Sequence, residues 1–354
     1  MAILKQRAAD LAIHGGGPPA FELKVPLFAP HVGDSSLFAK LAEEMFLHPQ
    51  QGVILDQFER EAARYFGVRK AIGFSSLAAA LEAAQSCAGS RVSIPALGSS
   101  LMPDSEFLTP SLFDGDLVAA EPNNGAEIFD ISHFGISAGG CESPFCRIAH
   151  QSIGNRKLVS NGPRLWAVEL GKDQILHAQN GALVLTDDDL LAFRVLGWRG
   201  KTDHRLTPVM SDAASAMALA NLSHVDRFIS DNIERFCAYE KGLSGLDGVR
   251  LLAPLERPKW NHQAIVVEIS RGTFGASRDA VFAHLIAENI SAGKPFENDC
   301  GLPLFAKANR VRSRLLQLPN GPGLSVEDIA AICRVIELSA VSGLESPDPF
   351  RIAA

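Results

Sequence analysis

Leu165-Trp-Ala-Val-Glu-Leu-Gly-Lys172-Asp-Gln-Ile-Leu-His177-Ala-Gln-Asn-Gly181-Ala-Leu-Val-Leu-Thr186-Asp-Asp-Asp-Leu-Leu-Ala-Phe-Arg194 is the stretch from which the fold can be read. An apolar strand leads into a polar turn that carries Lys172, and a second apolar strand covers Ala182 to Leu185. A helix follows, with Thr186 placed to cap it and Asp187 to Asp189 near its positive end. A lysine between two buried strands is a place to hold a carbonyl compound as a Schiff base. A solvated turn lysine would look the same locally.

Working upstream, Lys70 to Phe74 reads as a short strand that runs into Ser75-Ser76-Leu77-Ala78 and a helix ended by Gly89. A strand that feeds a helix through a serine turn exposes helix-start amides that suit a phosphate, and equally lets a serine serve as a plain N-cap. Strands at Arg91 to Pro95, near Phe107 to Phe113 and around Glu127 to Asp130 follow, so strands and helices alternate as in an open α/β sheet. Asp130 and His133 then fall where a strand ends, which is where ligands meet such a sheet. There Asp130 could hold a protonated ring nitrogen with His133 orienting it, or both could be ordinary turn residues. Before the first strand, Phe38, Leu41 and Met45 share a helical face. Asp56 opens a second helix with Phe58, Ala62, Tyr65 and Phe66 on one side, stopped by Gly67. Ala9 to Asp34, with three consecutive glycines and Pro18, Pro19, Pro26 and Pro30, reads as an extended arm.

Downstream, Ser211 begins a long helical region whose Leu222, Val225, Ile229, Ile233 and Phe236 make one apolar face. Strands at Gln263 to Ile269 and Leu315 to Leu318, with helices capped by Ser277 and Ser325, make the rest a compact α+β unit. The expected division is a large, mostly parallel-sheet α/β/α domain over 1-235, arm included, and a small α+β domain over 236-354.

The 354 residues suffice for two cored domains, and 47% apolar with 21% charged residues excludes a disordered chain. A net charge of -7, with Lys and Arg scattered, argues against a nucleic-acid backbone as partner. No apolar run reaches the ~18 residues of a membrane span, and Met1 to Lys5 is too short and weakly basic for a signal peptide, so a cytoplasmic protein is expected. The six cysteines are dispersed and read as free thiols. Cys141, Cys146 and His150 lack the four-ligand spacing of structural zinc.

Together these stretches resemble the DegT/DnrJ/EryC1/StrS sugar aminotransferases, a fold type I group of pyridoxal-phosphate enzymes, from about Leu11 to Leu338. The resemblance rests on Asp56-Gln-Phe-Glu-Arg-Glu, Gly181-Ala-Leu-Val-Leu-Thr-Asp-Asp, Met210-Ser-Asp-Ala-Ala, Ser277-Arg-Asp and Leu316-Gln-Leu-Pro. It implies the fold type I architecture, with a cofactor pocket shared between the subunits of a dimer. It also implies transfer of an amino group from glutamate or glutamine to a ketone of a nucleotide-linked sugar. By resemblance Lys172 is the Schiff-base lysine when the strand Leu165-Trp-Ala-Val is matched, and Asp173 when counting back from Gly181. Ser75 and Ser76 fall at the phosphate, and Asp130 and His133 at the ring.

The chain departs from that pattern at several positions. Leu77-Ala78 stands for the family's Gly-Thr, Ser99 for a stacking aromatic residue, Thr207 and Val209 for an asparagine and lysine from the partner subunit, and Gln179-Asn180-Gly181 for Glu-Gly-Gly. Placing Phe129-Asp130-Ile-Ser-His133 on the family's Phe-Asp-Ala-Ala-His costs the sheet a strand and a helix. A second register moves His133-Phe134-Gly135 to an earlier motif and leaves Ile148 at the carboxylate position. The expectation is a homologue with an eroded pyridoxal-phosphate pocket that does not transaminate: a pseudoenzyme, a partner of an intact family member, or a binder of a sugar nucleotide. The alternative is an active aminotransferase that uses Lys172. The dimer is with itself or with the intact member.

Overall fold

The computed structural model describes residues 2–47, 52–88, 92–95, 111–113, 127–133, 136–137, 144–151, 153, 164–200, 208–253, 261–298 and 306–341. Two helices, α1 (Ser35–Leu47) and α2 (Val53–Phe66), precede the sheet. α2 buries Ile54, Leu55, Phe58, Ala62 and Phe66 along one face and ends at Gly67, whose φ of 69° supplies the left-handed cap. Asp56 lies in its first turn. The carboxylate that caps its start is instead Asp212, which accepts the amides of Gly52 and Leu55 at 2.8 and 3.0 Å.

The chain then gives β1 (Lys70–Phe74), α3 (Leu77–Ala88), β2 (Val92–Pro95), β3 (Ser111–Phe113), β4 (Glu127–His133), β5 (Ile136–Ser137), β6 (Cys146–His150), β7 (Leu165–Glu169) and β8 (Ala182–Thr186). The strands lie in the order β3-β2-β4-β6-β7-β8-β1, with β5 paired to β4. β8 runs antiparallel to both β7 and β1, and the β7-β6-β4-β2-β3 pairs are parallel. Strands buried on both faces explain the near-continuous apolar runs in β7 and β8. The path through the sheet is unbroken, which corrects the missing strand that the Asp130 register required. β4 also extends to His133, so Asp130 lies in mid-strand, in register with Arg147, and only His133 is at the strand end.

α4 (Asp189–Arg199) follows β8, and here the expected cap is corrected too. Asp188 accepts the amides of Leu190 and Leu191, while Thr186 accepts the amide of Asp188 and donates to the carbonyl of Arg164. The expected long helix is two: α5 (Asp212–Leu222), capped by Ser211, and α6 (Val225–Leu243). The second sheet, β11-β10-β9, consists of β9 (Val249–Leu251), β10 (Ile265–Ile269) and β11 (Leu315–Leu318). Around it lie α7 (Arg271–Phe274), α8 (Arg278–Ala287), α9 (Ala306–Arg312) and α10 (Val326–Val341). Ser277 and Ser325 accept the amides of Ala280 and Asp328 at the starts of α8 and α10, as expected.

Apolar side chains fill both faces of the large sheet, and a separate core surrounds the small one. α6 enters two of them, with Val225 and Phe228 in a large-sheet core and Phe236, Tyr239 and Leu243 in the small one. Leu11, Ala20, Phe21 and Val25 of the arm pack into the small core, so by packing the arm's first half goes with the C-terminal unit. It is pinned there by Glu288, fully buried, which accepts the amides of Ala12 and Ala20 at 2.5 Å each and lies 3.5 Å from the Lys5 ammonium.

Candidate cofactor site

The parallel strands deliver their C-terminal ends to one edge of the sheet, and the residues singled out in the sequence arrive there from β1, β4, β6 and β7. At the end of β1 the amide of Ser75 donates to the carbonyl of Pro208 at 2.8 Å, and Phe74 bridges to Val209. Ser76 Oγ accepts the amide of Ala79 at 3.2 Å, and its carbonyl takes the amide of Ala80. Both serines are therefore engaged by the chain itself, and Leu77 packs against the sheet core where the family resemblance implies glycine.

Between β7 and β8 the turn folds back on itself. Leu170 donates to Gly181, Ala178 to Leu170, and Gln174 to Gly171. Ile175, Leu176 and Ala178 are buried, which leaves Lys172 exposed and Asp173 half-buried. Lys172 borders a hollow of about 20 Å³ whose other walls include Phe28, His31, Asn232, Gln263 and Asn320. That volume admits about one water molecule. His177 Nε2 lies 2.8 Å from the carbonyl of His31, and Asn221 donates to the carbonyl of His177, so His177 ties the arm to the turn. His31 stacks on Phe228 at 4.4 Å. Burial, helped by the nearby Arg235 charge, pushes its pKa down to about 4.

Sequence reasoning missed a run of buried amides behind this turn. Gln174 donates to Glu169 at 3.0 Å and accepts the amide of Gln151 at 2.9 Å, and Gln317 of the small sheet donates to Gln151 Oε1 at 3.3 Å. Gln151 holds a left-handed φ of 50°. Gln263 fastens the turn from the other side, accepting the amide of Ile175 at 3.0 Å and donating to the carbonyl of Asp173. Isolated glutamines carry no periodic signal, so only a left-handed residue just past an apolar strand could have pointed to them.

At the carboxylate position the two registers differ in substance. The side chains of Asp130 and His133 lie outside the described part of the structure. Ile148 is fully buried and packs in the core that also holds Phe129, Cys146 and Leu165. Arg147 lies over the Trp166 ring at 5.5 Å. Ser99 and Thr207 lie outside the described residues, as does Cys141 of the cysteine cluster. Among the described residues no three His, Cys, Asp or Glu side chains converge to hold a metal, and no helix is long and apolar enough to cross a membrane.

A mixed sheet in which β8 runs against both its neighbours, a lysine on the turn before that strand, and a smaller α+β unit after a long helix make up the aminotransferase fold of type I. Residues 174–337 match the model of the DegT/DnrJ/EryC1/StrS aminotransferase family. The fold of the chain matches a structure of DesI in the presence of its TDP-sugar product, with a TM-score of 0.83 and 22% identity over 95% of this chain and 97% of that one. PseC of Helicobacter pylori, an aminotransferase involved in the biosynthesis of pseudoaminic acid, matches at 0.76 with 14% identity over 90% and 100%. The E. coli GDP-4-keto-6-deoxy-D-mannose-3-dehydratase with bound hydrated PLP matches at 0.73 with 13% identity over 89% and 100%. No curated protein matches the chain by sequence.

The family points to pyridoxal phosphate, and the described residues fit it poorly. Of the groups a phosphate would need at the start of α3, the Ser75 amide serves Pro208 and the Ser76 hydroxyl serves Ala79.

Proposed function

We propose that this protein is a non-transaminating member of a sugar-nucleotide biosynthetic pathway in the cytoplasm, acting as the dimer partner of an intact aminotransferase or as a binder of its nucleotide-sugar ligand. The observation that carries this reading is the occupied helix start. The Ser75 amide and Ser76 hydroxyl are spent inside the chain, and Leu77 packs a side chain on the sheet core where the resemblance implies glycine, which speaks against a cofactor phosphate held there. Ile148 supports it, because the unbroken sheet favours the register in which an apolar side chain replaces the ring's carboxylate partner. A dimer is supported by Phe46, Leu47 and Val53, three exposed apolar residues around the junction of α1 and α2. The DesI structure, solved with a TDP-sugar, supports the ligand class.

The alternative keeps one observation: Lys172 remains on the turn that follows β7, with its side chain accessible. If the chain is an active aminotransferase, pyridoxal phosphate would bring the electron-withdrawing ring, Lys172 would bind it and carry the proton, and Asp130 would hold the ring nitrogen charged. Titration of the purified protein with pyridoxal phosphate separates the two readings. We expect no visible absorbance band from cofactor bonded to the chain, and no amino transfer from glutamate. A saturable band that disappears in Lys172→Ala would overturn the proposal.

A further inference from the structure

We propose that the outer end of the small unit, where Arg250, Arg271, Arg310, Arg312 and Arg314 come together, is a docking surface for an acidic segment of another protein. It stands apart from the cofactor question, because β10 runs away from the Lys172 turn: Gln263, just before the strand, holds that turn, and Ile269 is at the far end. In sequence these arginines look scattered through a chain of net charge -7. The small sheet gathers them. Arg250 on β9 is in register with Glu268 on β10, and Glu268 with Leu315, the residue after Arg314, so all three lie on neighbouring strands about 5 Å apart. The amide of Ile269 donates to the carbonyl of Arg314 at 2.9 Å, and two residues further on Arg271 opens α7. Arg310 and Arg312 arrive from the last turn of α9, and the sequence from Cys300 to Val326 contains no Asp or Glu.

Few carboxylates answer this charge. Glu268 lies 2.5 Å from Arg250 Nη2 and 3.5 Å from Arg314 Nη1. Asp247 is brought alongside by the bond from the Ser270 amide to the Gly248 carbonyl, and Asp279 is already shared by Arg278 and Lys294. Arg271 and Arg310 are exposed and have no side-chain partner among the described residues. A surface of one sign attracts and orients a partner of the other. Glu268 shows how an incoming carboxylate would sit, held between guanidinium groups from two strands. A nucleic acid fits less well. Among the described residues no aromatic side chain is exposed at this end to stack a base, and the negative charge on the rest of the chain repels a duplex.

The test follows a fluorescein-labelled oligoglutamate peptide binding to the full chain by anisotropy at low salt, with a labelled oligothymidylate of equal charge as the rival polyanion. The expected result is saturable peptide binding that fades as salt is added and is weakened about tenfold or more in the double variant Arg271→Glu, Arg310→Glu. Both positions are exposed, so the fold should be kept. Lys40→Glu with Arg60→Glu makes the same change in net charge on exposed positions of α1 and α2, and should leave peptide binding within about twofold. No peptide binding, equal losses in the two double variants, or tighter binding of the oligothymidylate would each overturn the proposal.

Discussion

Ser75 gives its backbone amide to the carbonyl of Pro208 across 2.8 Å, which ties the end of β1 to the segment that leads into α5. The residue after it, Ser76, then works as a helix cap. Ser76→Ala is therefore expected to lower stability by about 1 kcal/mol, the usual cost of a lost cap, read as a shift in thermal midpoint. Its response to added pyridoxal phosphate should equal that of the parent. A variant of unchanged stability but altered cofactor response would contradict the capping role.

Lys172 is exposed on its turn, so Lys172→Ala should change stability by no more than about 0.5 kcal/mol in urea denaturation. A larger loss would mean that the lysine is held by contacts absent from this structure.

Arg199 Nη1 donates to Glu59 at 2.5 Å and to the carbonyl of Gly73 at 2.8 Å, while Glu59 accepts the amide of Gly73 at 2.7 Å. The two charged groups are only 14% and 16% exposed. Arg199→Met strands a largely buried carboxylate at the edge strand and should cost about 3 kcal/mol. The double variant with Glu59→Leu should recover part of it, and strict additivity in a double-mutant cycle would show that the pair is not coupled.

Glu288 should matter more than any surface charge. It is fully buried and holds two arm amides, so Glu288→Ala is expected to cost several kcal/mol, about 3–5, and to free the first 25 residues. Limited proteolysis should then cut within 1–25 before the body is touched. An arm as resistant as in the parent would refute this anchoring.

Stability should fall in mild acid for a traceable reason. Burial holds the pKa of both His31 and His284 at about 4, below the ~6.5 of an unfolded histidine. Above pH ~6.5 both states are neutral. Between ~6.5 and 4 the unfolded chain takes up protons that the folded one refuses, so stability drops as pH falls, by at most about 3 kcal/mol per histidine. His31→Gln should flatten the stability profile in that window, and an unchanged slope would locate the acid sensitivity elsewhere.

The parts of the fold legible from sequence were those with a local cause. The apolar runs of β7 and β8, the Ser211, Ser277 and Ser325 caps and the left-handed Gly67 all behave as their neighbours dictate. Where two acceptors competed, pattern alone did not choose: Thr186 and Asp188 both suit a helix start, and the one two residues nearer the first helical amides took it. The candidate site was less legible because its state depends on pairings distant in sequence. Pro208 meets Ser75, and Gln317 meets Gln151 across 166 positions, with nothing periodic to announce either. The Asp130 and Ile148 registers differ in the strands they count, and short strands such as the three-residue β3 leave little trace in composition.

α6 gives the protein a mechanical property that neither sheet has. Its first half is a rivet in one core and its second half a rivet in the other, with Phe228 and Phe236 two turns apart on a single rod. Cutting the gene near residue 235 would leave each core its own part of that rod but strip the small core of Leu11, Ala20, Phe21 and Val25, so the C-terminal piece produced by itself should be insoluble.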